Sequence, residues 1–175
     1  MSHGRADPVE LVRRGLPRRA SDAMAKWLEP LPAQLFVTWA PESPHVGPGF
    51  MRMLASDAVA LVEHLTESTD EVGGLMFTQP NTRGGLHGHQ LLFGPERLRN
   101  FNRGEAAQLL ELHASQYRAQ ELDYDQGAGA WAVDLQGVKH GGVAAYCTRY
   151  ASRDAAGDHH EVGLRLDQLF ERYVT

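Results

Sequence analysis

Cysteine is almost absent from these 175 residues: Cys147 stands alone. No intrachain disulfide is therefore possible, and a reducing cytoplasm is the expected setting. Lysine is nearly as scarce. Of 17 basic residues only Lys26 and Lys139 are lysines. Guanidinium forks match phosphate oxygens in pairs, but a GC-rich genome gives the same bias, so the arginines alone do not choose a partner. No apolar run approaches the ~20 residues that span a bilayer, so no membrane association is expected. The opening stretch, MSHGRADPVELVRRGLPRRAS, lacks the apolar segment of a secretory signal. Arg13, Arg14, Arg18 and Arg19 make it basic, while Asp7 and Glu10 interrupt any likeness to a transit peptide. An excess of positive charge is missing too. A formal net charge of −5 argues against a protein that coats nucleic acid, while leaving room for a local basic groove.

The chain does have an ordinary globular composition, 42% hydrophobic and 22% charged, at a length that suits one domain with a real core. Residues 1–33 read as a basic N-terminal arm ending in Pro30 and Pro32, and 34–175 as a single domain. LFVTWA (35–40) is aromatic and β-branched and predicts a strand; PESPHVGPG (41–49) predicts a loop. Phe50, Met53, Leu54, Leu61 and Leu65 recur at helical spacing and predict a helix over 50–66. GGLMFTQ (73–79) and LHGHQLLFG (86–94), joined by PNTRGG, predict an antiparallel hairpin. Asn102 followed by Glu105 is a helix-start signal for a helix through Tyr117. A short strand within 126–137, a helix over 141–154 and a small closing helix complete the order β-α-β-β-α-β-α. That order predicts an α+β fold: a central antiparallel sheet of ferredoxin-like or RRM-like connectivity with helices packed against it.

Two short patterns carry chemistry. His87 and His89 stand two apart on a predicted strand, so both project from one face and can reach one ion. Imidazole suits divalent Mn, Zn and Fe. An isolated pair of this kind is more often one core histidine and one exposed one. Gly88 between them leaves the opposite face open to close packing. Further on, Tyr146 and Tyr150 stand four apart on the predicted helix, stacked on one face, with Arg149 and Arg153 on the neighbouring stripe. A phenol of pKa about 10 is a poor nucleophile near neutrality. A neighbouring cation favours its oxyanion, and a metal polarises a phosphoryl oxygen. The ordinary alternative is a pair of half-buried helix aromatics.

Taken together, LFVTWA, GGLHGHQLLF and GGVAAYCTRYASRD resemble the three motifs of the HUH endonuclease superfamily, and more narrowly those of rolling-circle replication initiators (Rep proteins) of small plasmids and single-stranded DNA phages. The likeness spans about residues 35–154, and the histidines precede the tyrosines as in Rep proteins. The resemblance implies a divalent metal, Mn or Mg, held by His87 and His89, with single-stranded DNA or an origin hairpin lying across the sheet. Tyr150 would attack the scissile phosphate to give a 5′-phosphotyrosine link and a free 3′-OH. Tyr146 would be the second nucleophile of a two-tyrosine pair, and Arg149 and Arg153 would stabilise phosphate charge. A separate helicase and polymerase are implied partners, since the chain leaves no room for a helicase domain.

The sequence departs from the family in three places. Gly88 occupies a position that is normally bulky and apolar. Arg149 and Arg153 stand where lysines are usual. The third metal ligand, commonly a carboxylate or amide on the preceding strand, has Gln79 as its candidate here and Thr78 as the alternative. His140, Arg83 and the run Asp158, His159, His160 read as solvated surface, and Cys147 as a packing residue. Two other readings stay open: a non-catalytic nucleic-acid-binding relic of the same fold, and a single-strand DNA transposase of the same superfamily, which the paired tyrosines disfavour.

Overall fold

The alternation in QLFVTW places Leu35, Val37 and Trp39 on one side of a strand and Phe36 on the other, and both sides are buried. That is the signature of a central strand. The computed structural model describes residues 23, 25–41, 47–80, 86–121, 131–138 and 158–174. Within them β1 (Ala33–Pro41) leads into α1 (Pro48–Thr66), then the hairpin β2 (Gly73–Pro80) and β3 (Leu86–Phe93). A 3₁₀ turn (Glu96–Arg99) follows, then α2 (Arg103–Glu121), β4 (Trp131–Gly137), β5 (Asp158–Gly163) and α3 (Leu166–Tyr173).

The helix boundaries have local causes. Pro48 opens α1, where a missing N–H does no harm, and Glu67 closes it in the left-handed region at φ 52°. Asn102 caps α2 as its spacing predicts, its Oδ1 accepting from the Glu105 N–H at 3.1 Å. At the start of α3 the Arg165 N–H donates to Gln168 Oε1 at 2.9 Å.

The strands form one sheet in the order β4-β1-β3-β2-β5, every neighbouring pair antiparallel. Among the first four strands, β1 and β2 run parallel with β3 between them, and β3 and β4 run parallel with β1 between them. Two interleaved split β-α-β units give the expected α+β, ferredoxin-like connectivity. β5 is an addition. The segment Asp158, His159, His160, expected to be solvated surface, pairs along β2 instead, with Met76 opposite His160 and Phe77 opposite His159. DHHEVG offers one buried apolar side chain, Val162, so no alternating apolar signal announces it. The unpaired edge of β2 supplies the template. Gly163 turns the chain into α3 at φ 73°, where an added Cβ would meet the Val72 carbonyl oxygen at 2.6 Å.

The two faces of the sheet are covered differently. α1 and α2 cover one face through Met51, Leu54, Ala58, Val62, Ala106 and Leu110, which pack on Leu35, Val37, Trp39, Met76 and Leu92. The second face carries Phe36, Leu75, Phe77, Leu91 and Phe93, and is covered by Ala25, Leu28, Leu31, Leu166 and Leu169. The described part of the 1–33 arm thus lies on the second face beside α3, with Trp27 stacked on Phe170 at 4.7 Å. No helix among the described residues is long and apolar enough to cross a membrane.

Candidate metal centre

The hairpin register pairs Gln79 with His87, Thr78 with Gly88 and Phe77 with His89. Directly opposite residues share a face, and so do residues two apart along a strand. His87, His89 and Gln79 therefore stand on the second face, in line with Leu91, Phe93 and Phe77 and away from α1 and α2. Along β2 and β3 that face changes character: apolar under α3, polar towards Pro80 and Leu86.

The contacts among these three side chains are close. His87 Nε2 lies 3.1 Å from Gln79 Oε1. The two imidazoles meet edge to face, with centroids 5.2 Å apart and planes at 85°. The Phe36 ring lies nearly parallel to His89 at 5.6 Å and 12°, fixing the plane of that imidazole. His89 is 7% exposed and Gln79 equally buried. His87 Nδ1 is closed off from solvent, with no hydrogen-bond partner among the described residues.

Burial sets the protonation state. It lowers the pKa of His87, and it pushes His89 down to about 4, helped by the neighbouring imidazole of His87. Both rings are neutral near pH 7, the form in which a histidine ligates a metal.

These residues fit a divalent ion. They offer two neutral imidazoles on one face, an amide oxygen beside them, and a buried ring nitrogen that lacks a hydrogen-bond partner among the described residues. Gln79, the candidate third ligand, is brought to the histidines. Thr78, the alternative, is not: it pairs with Gly88 and belongs to the helix-covered face. Among the described residues no three His, Cys, Asp or Glu side chains converge. The donor set is two imidazoles and an amide, without formal charge.

Gly88 finds its explanation on the helix-covered face. A Cβ there would stand 2.2 Å from Met76 Cε and 2.6 Å from Met51 Cε. The two methionines occupy the volume that a bulky residue at position 88 would fill. Two positions on, Gln90 is fully buried on the same side. Its Nε2 donates to the Ala55 carbonyl of α1 at 2.9 Å, and its Oε1 accepts from Trp39 Nε1 at 3.4 Å. This tie between α1 and the strand that carries both histidines escaped the sequence reading. A glutamine between two apolar residues and a histidine pair was its only signal.

Tyr146, Tyr150, Arg149 and Arg153, with the predicted helix over 141–154, lie outside the described residues, as do Arg83, His140 and Cys147. A concave region lined by Glu63, His64, Glu67, Thr69, Glu71 and Arg97 sits beyond the other end of β2. Arg97 is paired there with Glu71 and donates to Ser68 Oγ at 2.9 Å. Burial raises the pKa of Glu63, and nearby Asp70 adds to the rise. Its acidic lining disfavours a phosphate chain. No protein family, curated protein or solved structure compared with this chain matches it.

Proposed function

We propose that the chain is a metal-dependent single-stranded DNA endonuclease and strand transferase of the HUH type, which nicks and rejoins DNA to initiate rolling-circle replication. One observation carries the reading: His87, His89 and Gln79 converge, with both imidazoles neutral, on the polar part of the sheet face opposite α1 and α2. The likeness of the tyrosine motif supplies the rest.

A bound divalent ion, Mn or Mg, would polarise a phosphoryl oxygen. The chain's own groups would do the following. His87 and His89 hold the ion as neutral bases, Gln79 offers its amide oxygen, and Phe36 keeps the His89 ring in plane. The Tyr150 oxygen bonds to the scissile phosphorus and loses its proton. The bond from phosphorus to the 3′ oxygen breaks, and that oxygen takes up a proton as a free 3′-OH for a polymerase. A 5′-phosphotyrosine remains. Tyr146 repeats the attack for rejoining, and Arg149 and Arg153 stabilise charge on the phosphate. Duplex unwinding falls to a separate helicase.

The test is incubation with labelled single-stranded oligonucleotides and Mn, followed by a denaturing gel. Metal-dependent covalent adducts that vanish in Tyr150→Phe are expected. Undiminished adducts in that variant would move the first attack to Tyr146. A second reading, a non-catalytic nucleic-acid binder, draws on the uncharged donor set. It would be favoured by oligonucleotide binding without adducts under any metal.

A further inference from the structure

Resting on the metal reading of His87, His89 and Gln79, we propose that Asp134 is the carboxylate partner of this site, a positioning residue that accepts hydrogen bonds from water bound to the ion. The sheet register carries the argument. Asp134 on β4 lies directly opposite Thr38 on β1, and Thr38 lies directly opposite His89 on β3. Directly opposite residues share a face, so Asp134, Thr38 and His89 form a level row on the second face.

Two strand spacings separate Asp134 from His89, about 9–10 Å. That backbone spacing leaves direct ligation possible in principle, but Asp134 does not converge with His87 and His89 into a three-residue ligand group among the described residues, so its place is outside the ligand set, in contact through a bound water. Thr38, half-buried between them, is the smallest side chain of the row.

Each end of the row is held by a residue of the neighbouring row. Phe36 stacks on His89, and Gln136, opposite Phe36, donates from Nε2 to Asp134 Oδ2 at 2.6 Å. A hydrogen-bonded carboxylate of this kind is the usual outer-shell partner at a metal site. Charge supplies the second reason. An uncharged set of two imidazoles and an amide leaves a divalent ion's charge uncompensated. Among the described residues with placed side chains, the other carboxylate on this face of the sheet is Glu161, opposite Leu75 at the apolar end. The ordinary alternative is that Asp134 is simply an exposed charge on an edge strand, where such residues discourage strand addition.

The experiment is Mn titration of the full chain at neutral pH, read by calorimetry and by the Mn electron paramagnetic resonance spectrum. His87→Ala should abolish binding. Asp134→Asn should weaken it by about 10-fold, within the range for outer-shell partners, and Asp134→Glu should restore most of it. The thermal melt without metal should be unchanged in both Asp134 variants, which separates positioning from folding. If His87→Ala abolishes binding while Asp134→Asn leaves affinity and spectrum unchanged, the Asp134 assignment falls and the metal site stands. If His87→Ala binds Mn as well as the parent chain does, the metal reading itself is overturned, and the role of Asp134 with it.

Discussion

Gln90 and His87 stand three residues apart on β3, and the fold treats them in opposite ways. Gln90 is fully buried on the helix-covered face, where its amide bonds both Ala55 and Trp39. His87 is partly buried on the other face, with its Nε2 against Gln79 and its Nδ1 closed off without a hydrogen-bond partner among the described residues. A buried polar group with its bonds made rigidifies a core. One left short of a partner is a standing cost that folding alone does not explain. The contrast separates a residue whose bonds tie the architecture together from one whose bonding the described residues leave incomplete.

The strongest way to break that contrast is to remove the imidazoles. His87→Ala and His89→Ala should each lower Mn affinity by more than about 100-fold, beyond the usual effect of an outer-shell partner. His87→Ala should leave urea unfolding nearly unchanged, because it removes a polar group rather than packed apolar surface. A large loss of stability in His87→Ala with metal binding intact would invert the assignment. Gln90→Leu is the mirror experiment. It keeps volume but cuts the tie to α1, and should cost about 2–3 kcal/mol in chemical unfolding while Mn affinity changes little.

Acid titration sharpens the comparison further. The pKa of His89 falls from an ordinary 6.5 to about 4 in the folded chain. As pH drops through 6.5 the unfolded chain takes up this proton first, so stability falls with pH. The loss runs from about pH 6.5 to about pH 4 and then levels off, since below that both states are protonated. Unfolding free energies at pH 7, 5.5 and 4, measured with a chelator present, should decline on the order of 2–3 kcal/mol from this residue. His89→Gln should flatten that decline. An equal slope in His89→Gln would mean that other groups carry it.

Much of this was legible in the residues. QLFVTW and the helical spacing of Phe50 to Leu65 pointed to β1 and α1, and the expected pairing of β2 with β3 pointed to the placement of Gln79, which stands opposite His87. β5 was not legible, because one buried valine in DHHEVG makes no pattern and its partner strand decides it. Asp134 was visible only as the outward residue of an alternating strand. Its sharing a face with His89 depends on the sheet order, in which β4 flanks β1. Gln90 was hidden for a related reason: nothing in HQLLF says which carbonyl a buried amide will find. Local periodicity reports which residues point together along one strand, and long-range register reports what they meet.

Gly88 gives the smallest and most discriminating prediction, because it touches both faces' logic at once. Its missing side chain would enter the space of Met76 and Met51, whose contacting atoms are the far ends of flexible chains. Gly88→Ala should therefore cost only about 1 kcal/mol, as the methionines shift rotamer. Gly88→Val asks for more room and should cost about 2 kcal/mol. Met76→Ala alone should cost about 2–3 kcal/mol by opening a cavity. If volume is all that position 88 negotiates, the Gly88→Val, Met76→Ala double variant should be less destabilised than the sum of the two changes, a coupling readable in a double-mutant cycle. Mn affinity should stay constant throughout, since every change lies on the helix-covered side of β3. Strict additivity would mean that the methionines do not stand in for the absent side chain, and a loss of Mn affinity would mean that the two faces of β3 are not independent.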